Sequence, residues 1–297
     1  MSDYRLKVFY SVARRLSFTK AASELFISQP AVTRHIHELE EEYQNKLFER
    51  RGNRIFLTDS GRVLLRYTEQ LFDIYRKIEF DMGTFAHEHR GLLHLGASTT
   101  VSQYVIPPML ASFRQKYPHI HLNLINGNTD QVERALIAGE IEFGIIEGKS
   151  KNPEISYTEL LKDEIVLVCR HDHPLVRQGE IKPSVLPDIP FVLREQGSGT
   201  LEVVEHALRQ VNISLLDLRI EINLGSTESI KSYLLYSSCV AFLSVHSVTK
   251  ELARGDLRVI DVKGLDIKRC FYAIQLHGKM DGLAEILFRF LKHYYNV

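Results

Sequence analysis

Residues 17–40 read SFTKAASELFISQPAVTRHIHELE, and this stretch decides the fold of the N-terminal region. Thr19 is placed to cap a short helix that turns Ala21, Ala22 and Leu25 inward. After a tight turn at Phe26-Ile27, Ser28 caps another helix, with Pro30 in its first turn, where a missing N–H costs nothing. Two helices joined by so short a turn form a helix-turn-helix. On the second helix Val32, Ile36 and Leu39 fall at i, i+4, i+7 and face a core. Pro30, Thr33, Arg34 and His37 occupy the opposite face, with Gln29 at the N-terminal tip. Gln and Arg present bidentate hydrogen bonds to adenine and guanine edges, and Thr presents a methyl and a hydroxyl. The helix N-terminus favours a nearby phosphate. The pattern therefore predicts a face that reads DNA, not one that is merely solvated.

On either side of this stretch the chain supplies the rest of such a domain. Leu6, Phe9, Tyr10 and Ala13 lie at i, i+3, i+4, i+7 and predict a helix over 4–14. FERRGNRIFLT, residues 48–58, reads as a hairpin around Gly52-Asn53, with Arg50, Arg51 and Arg54 at its tip. From Asp59 to about His89 the pattern is one long helix ended by Gly91. Leu64, Leu71, Ile78 and Phe85 repeat every seven residues, supported by Tyr67, Ile74, Tyr75 and Met82, a narrow stripe that suits a seam between two subunits; packing of the helix on its own domain is the alternative.

Beyond Gly91, short apolar runs (LLHLGAS, HLNLING, FGIIEG, IVLVCR, FVLREQ, RIEINLG, VAFLS) alternate with helical stretches near 105–117, 129–138, 201–211, after Ser226, and at 283–294. A further strand is expected near 269–276. This alternation predicts doubly wound parallel α/β sheets. Ligands in such sheets sit where strand ends meet helix N-termini, and three segments qualify: Ser98-Thr99-Thr100 with Gln103, Arg194 followed by Ser198-Gly199-Thr200, and Ser226-Thr227. Each combines hydroxyls with free backbone N–H groups at a helix start, which favours an anion; the simpler alternative is that these hydroxyls only cap their own helices. Glu147, at the end of FGIIEG, is expected to face the same ligand, disfavouring an anion or accepting a bond from an amine or hydroxyl. The balance points to a small acid or oxyanion.

Lys plus Arg and Asp plus Glu are 37 each, so the chain is formally neutral. Neutrality weakly opposes nucleic-acid binding, and the acidic run Glu40, Glu41, Glu42 lies beside the basic residues of the first sixty positions. No run reaches the ~18 apolar residues of a membrane span. The opening stretch lacks the apolar core of a signal peptide, so a cytoplasmic protein is expected. Cys169, Cys239 and Cys270 are odd in number and far apart, which argues against a disulfide framework or a metal site. They lie in or beside apolar strand runs, as inert thiols do; a redox-responsive regulator using them is the alternative reading. His171 and His173 fall in a loop, with capping or solvated roles expected, and His87 and His89 fall at a domain boundary. No Gly-x-Ser-x-Gly, P-loop or Gly-x-Gly-x-x-Gly motif is present, so neither an enzyme nor a cofactor is expected.

The motif Leu6-x-x-Phe9-x-x-Val12-Ala13-x-x-x-Ser17-Phe18-Thr19-x-Ala21-Ala22-x-x-Leu25, continued by Ser28-Gln29-Pro30-Ala31-Val32-Thr33-x-x-Ile36-x-x-Leu39-Glu40, Leu47-Phe48-x-Arg50 and Leu57-Thr58-x-x-Gly61, resembles the LysR-type transcriptional regulators. The resemblance spans the chain. It implies a winged helix-turn-helix over 1–58 and a dimerising linker helix over 59–90. It further implies an effector domain over 91–297 like the periplasmic binding proteins, with subdomain I at 91–162 and 268–297 and subdomain II at 163–267. Gln29, Pro30, Thr33, Arg34 and His37 would touch bases or nearby backbone, and Arg50, Arg51 and Arg54 would reach the duplex from the wing. The implied partners are promoter DNA, a small-molecule effector, further copies of the chain as a dimer or dimer of dimers, and RNA polymerase. Relatives often carry Arg after the GSGT segment; here Leu201 stands, leaving Arg194 as the candidate cation.

Overall fold

A computed structural model of the chain describes residues 3–52, 54–85, 89–148, 152–278 and 282–296. Contacts divide it into two units, Met1–His87 and Glu88–Val297. In the first, the Asp3 side chain accepts the Arg5 N–H and starts α1, Tyr4–Arg15. The next helix, α2, Phe18–Leu25, is capped by Ser17 and not by Thr19. Ser17 has the extended backbone a cap requires, whereas Thr19 already lies inside the helix. Phe26 closes α2 in the left-handed region at φ 55°, and Ser28 caps α3, Gln29–Glu42, with Pro30 in its first turn. Val8, Phe9, Val12, Ala21, Val32, Ile36, Leu39 and Leu47 form the core beneath these helices.

The wing follows as an antiparallel pair, β1, Phe48–Arg51, and β2, Arg54–Leu57, with Arg51 opposite Arg54. Asn53, part of the expected turn, is outside the described residues. Thr58 donates to the Lys46 carbonyl and accepts the Gly61 N–H, and a β-carbon at Gly61 would collide with the Leu47 carbonyl oxygen. The Leu-Thr-x-x-Gly pattern is thereby a packing requirement at the start of α4, Asp59–Phe85.

The long helix is described to Phe85, while 86–88, His87 among them, are outside the described residues. Gly91 opens a strand instead of ending that helix. Tyr67, Leu71, Ile74, Ile78 and Met82 are exposed along α4. Leu64 departs from the expected seam and packs on the helix-turn-helix core; the Phe85 side chain is outside what is described.

The second unit is α/β. Parallel β3, Gly91–Ser98, β4, Ile120–Gly127, and β5, Phe143–Glu147, carry α5, Pro107–Lys116, and α6, Thr129–Ile137. A second parallel pair, β8, Pro190–Arg194, and β9, Arg219–Leu224, carries α7, Gly199–Gln210, and α8, Thr227–Leu235. Between them run two long crossing strands, β6, Ile155–Arg170, and β12, Ile267–Leu276, paired antiparallel. In chain order the remaining elements are β7, Glu180–Ile181; β10, Ala241–Ser244; α9, Val245–Arg254; β11, Leu257–Val262; and α10, Gly282–Tyr295.

The main sheet runs β4-β3-β5-β12-β6-β11-β7, with β10 also on β6. It is therefore mixed: the expected parallel pairing holds within each α/β half, and the crossing strands add antiparallel ladders. One apolar core lies under β3, β5, α5 and α10, another under β8, α7, β6 and β11. Among the described residues no helix is long and apolar enough to cross a membrane.

Candidate functional site

The exposed face of α3 holds the five residues the spacing assigns to it: Gln29, Pro30, Thr33, Arg34 and His37 are all exposed, while Val32, Ile36 and Leu39 are buried. The Gln29 amide donates to Thr33 Oγ1 at 3.0 Å, and that hydroxyl donates to the Gln29 carbonyl at 3.1 Å, so the two side chains are held together before any partner arrives. Arg34 has only a loose contact with Glu38, 3.8 Å away. Thr33, His37, Lys46 and Arg50 line one groove of about 300 Å³ between α3 and the wing. Arg50, Arg51 and Arg54 are exposed, with Arg51 held by Glu49 at 2.6 Å and lying over the Phe56 ring.

The acidic run is less repulsive than its composition implies. Glu40 turns inward to accept the Leu47 N–H at 2.9 Å and to pair with Lys46, and Glu42 pairs with Arg5 at 2.7 Å. Only Glu41 of the three projects beside His37, at 3.9 Å.

In the second unit, the C-terminal ends of β3, β5 and β8 bring Ser98, Glu147 and Arg194 to the same region as the starts of α7 and α8. Ser98, Thr99, Thr100, Glu147, Arg194, Ser198, Thr200 and Thr227 are all buried, and so is Gly199. A β-carbon on Gly199 would strike the Glu147 carbonyl oxygen, so α7 rests directly on the end of β5. Ser226 stays half-exposed and caps its own helix, and Gln103 is exposed, outside the buried cluster.

Arg194 joins Thr99 and Thr227 of this cluster. Its Nε and Nη2 donate to the two Glu195 carboxylate oxygens at 2.8 and 3.0 Å. Its Nη1 and Nη2 reach Thr227 Oγ1 and Thr99 Oγ1, each at 3.4 Å. Burial pushes the Glu195 carboxyl up, but the Arg194 hydrogen bond and charge outweigh it and hold Glu195 below the usual carboxylate range. The Asn128 amide reaches Glu195 at 3.4 Å.

Glu147 is not the bare carboxylate that the sequence indicates. Its Oε2 pairs with Arg269 Nη1 at 2.6 Å and accepts a bond from Thr200 at 3.0 Å. Arg269 also binds Asp163 at 2.7 Å, whose other oxygen accepts from Ser244. Arg269 and Asp163 escape sequence reasoning because they come from the crossing strands, far from Glu147 in the chain. Among the described residues two buried hydroxyls, Ser98 Oγ and Ser198 Oγ, have no hydrogen-bond partner, and Ser198 does not cap α7 with its side chain. At the cleft edge, Tyr104 donates to Glu228 at 2.5 Å, and Lys231 pairs with both Glu228 and Glu251.

The thiols offer little to redox chemistry. Cys169 and Cys239 are buried and Cys270 half-buried, and burial pushes all three pKa values up, that of Cys169 to about 11. His173 has the capping role expected of it, accepting the Leu175 N–H.

A helix-turn-helix followed by an α/β unit with a polar cleft defines a ligand-responsive DNA-binding regulator. Two family models match: the bacterial regulatory helix-turn-helix protein of the lysR family over residues 4–62, and the LysR substrate binding domain over residues 86–296. The chain belongs to the LysR family of transcriptional regulators.

It is 31% identical over 287 residues to a probable RuBisCO transcriptional regulator of Cyanidioschyzon merolae, covering 96% of this chain and 95% of the relative. The CcmR regulatory domain of Synechocystis, solved in complex with 2-PG, is 29% identical with a TM-score of 0.64, covering 69% of this chain and 98% of that one. A full-length OxyR variant from Pseudomonas aeruginosa, 19% identical with a TM-score of 0.69, covers 98% of this chain and 95% of its own, a likeness of fold alone.

Proposed function

We propose that Gln29, Pro30, Thr33, Arg34 and His37 read base edges in the major groove, that Arg50, Arg51 and Arg54 meet the flanking backbone, and that the cleft takes a small acid or oxyanion as effector. The effector reading is carried by the two unpartnered buried hydroxyls, Ser98 and Ser198, which lie on the same strand ends and helix starts as Arg194. Leaving a buried donor unmade costs about 1–3 kcal/mol, and an anion supplies the acceptors that hydroxyls and a guanidinium need. The N-termini of α7 and α8 favour the same charge. The small molecule carried by the related CcmR domain supports a ligand in this domain.

On this reading the chain works in the cytoplasm as a regulator and not as a catalyst. Residues 1–58 bind promoter DNA, 59–90 link two copies, and 91–297 sense the effector, with subdomain I at 91–162 and 268–297 and subdomain II at 163–267. The exposed stripe Tyr67, Leu71, Ile74, Ile78 and Met82 faces a second copy in a dimer or dimer of dimers, and RNA polymerase is the further partner at the promoter.

A thermal-shift screen of the full chain tests the effector reading: small acids, 2-PG included, raise the melting temperature in proportion to RT ln(1 + [L]/Kd). Stabilisation by amines alone, with no response to any anion, overturns it.

A further inference from the structure

Resting on the reading of two subdomains about a cleft, we infer that Tyr104 is a latch that holds the subdomains together while the cleft is empty, so that ligand exchange waits on its release. Tyr104 stands in a single π-helical turn, Val101–Val105, between β3 and α5. Its hydroxyl crosses to α8 and donates to Glu228 at 2.5 Å, a charge-assisted bond. Among the described residues the other hydrogen bonds that cross between 91–162 and 163–267, outside the sheet ladders, lie at 3.0 to 3.4 Å. The shortest of those, Thr200 to Glu147, is also tied to Arg269 of β12 at 2.9 Å, so it sits at the hinge, where parting of the subdomains moves atoms least.

The two halves of the latch are built independently. On one side the turn is pinned to its own subdomain. Val101 is in the core, the Ser102 hydroxyl donates to Asn126 at 2.9 Å, and the Val105 carbonyl accepts from Tyr295 at 2.9 Å. On the other side Lys231 is buried, and its three N–H groups meet Glu251 at 2.8 Å, Glu228 at 2.9 Å and the Ser247 carbonyl at 3.0 Å. All three acceptors come from α8 and α9, so the receptor is complete before Tyr104 arrives. Tyr104 bonds the same Glu228 oxygen that Lys231 uses, and its ring lies 5.0 Å from the ammonium.

That arrangement makes the latch reversible. Release of Tyr104 strands no buried charge, because Lys231 keeps its three acceptors and Glu228, 57% exposed, takes water in place of the phenol. The contact lies outside both apolar cores of the unit, so its loss parts the subdomains without unfolding either one.

The test uses the full-length protein without ligand. Ser198→Cys places a thiol at a buried position whose neighbours, Gly197 and Gly199, lie against Asp130 and the Glu147 carbonyl across the cleft, so opening exposes it. A slow alkylating reagent, read peptide by peptide by mass spectrometry, then reports the open population. Cys169, buried in the core under α7, reports unfolding in the same sample. Tyr104→Phe keeps the ring and loses the bond, so labelling at Ser198→Cys speeds up about tenfold while Cys169 is unchanged. Glu228→Ala gives the same increase, and the two together give no further one. If Ser198→Cys does not fold, Ser98→Cys, also buried and at the end of β3, is the second probe. Equal labelling with and without Tyr104→Phe overturns the latch. A parallel rise at Cys169 overturns it as well, as do effects of Tyr104→Phe and Glu228→Ala that multiply. Because no ligand enters the experiment, its failure leaves the effector reading standing, and the thermal-shift screen alone decides that reading.

Discussion

The recognition face of α3 and the cleft of the α/β unit are both built from polar side chains, yet Arg34 keeps 69% of its side chain in solvent while Arg194 and Arg269 keep 2% each. On the helix, Gln29 and Thr33 are bonded to each other while Arg34 has a loose neighbour, and all of them are open to solvent. They are ready to exchange water for a base edge at little cost to the fold. In the cleft, the charges of Arg194, Arg269, Glu147 and Asp163 have been taken out of water and must be answered by the protein or by a ligand. The first surface is a reader whose couplings stay local, such as that between Gln29 and Thr33. The second is a network in which one substitution strands several partners.

The sharpest way to break this contrast is Arg269→Met. It removes the cation between two buried carboxylates, Glu147 and Asp163. Breaking a buried pair by removing one partner costs about 3–5 kcal/mol. Urea unfolding of the full chain, followed by circular dichroism, therefore shows a large fall in the midpoint for the α/β unit. Arg34→Ala, on the exposed face, changes stability by no more than about 0.5 kcal/mol. Equal midpoints for the two variants would show that the cleft charges are solvated after all. Gly199→Ala comes next. Its new methyl meets the Glu147 carbonyl oxygen, a backbone atom that cannot turn aside, and overpacking of this kind costs about 1–3 kcal/mol.

The same contrast explains what could be read from the sequence. The helix-turn-helix is local: α2, the turn and α3 lie within one short run of chain, and a period of 3.6 sorts Val32, Ile36 and Leu39 from the base-reading side. The cap of α2 falls at Ser17 and not at Thr19, because both residue types are good caps and only backbone geometry separates them. In the cleft, sequence reasoning found the strand ends and helix starts, since hydroxyl-rich segments after apolar runs mark them. It missed Arg269 and Asp163, because no local pattern joins position 147 to 163 and 269. Most of β6 was also hidden: ISYTELLKDE mixes polar and charged residues among its apolar ones and does not read as an apolar strand, whereas IVLVCR does. Leu201, noted only for the cation it replaces, packs against the core under α7.

On the exposed side, Arg34→Ala loses about 1–3 kcal/mol of binding to its site if Arg34 pairs with a guanine. The site is first selected from a random duplex pool by the full-length protein, and base preference at one position relaxes in the variant. A uniform loss across all duplexes, with a salt dependence shallower by about one unit, would assign Arg34 to a phosphate instead. Either outcome leaves the melting temperature close to that of the wild type, which is what separates the reader from the network.

The smallest expected effect concerns acid. Glu195 and Glu228 are both held below the usual carboxylate range: burial raises each, and the Arg194 bond at Glu195, and the Tyr104 and Lys231 bonds at Glu228, outweigh it. A depressed folded-state pKa stabilises the protein above the unfolded value and loses that contribution as pH falls through the folded one. The window therefore lies below the ordinary glutamate value of 4.5. Both groups are partly open to solvent, so each contribution is on the order of 1 kcal/mol or less. Urea midpoints measured from neutral pH down to about pH 3 should fall less steeply in Glu195→Gln than in wild type, with the two curves converging at the acid end. Parallel curves would mean that Arg194 gains nothing from the Glu195 charge, and the cleft would then resemble the recognition face: a set of polar groups that happen to be close and not one that is electrically coupled.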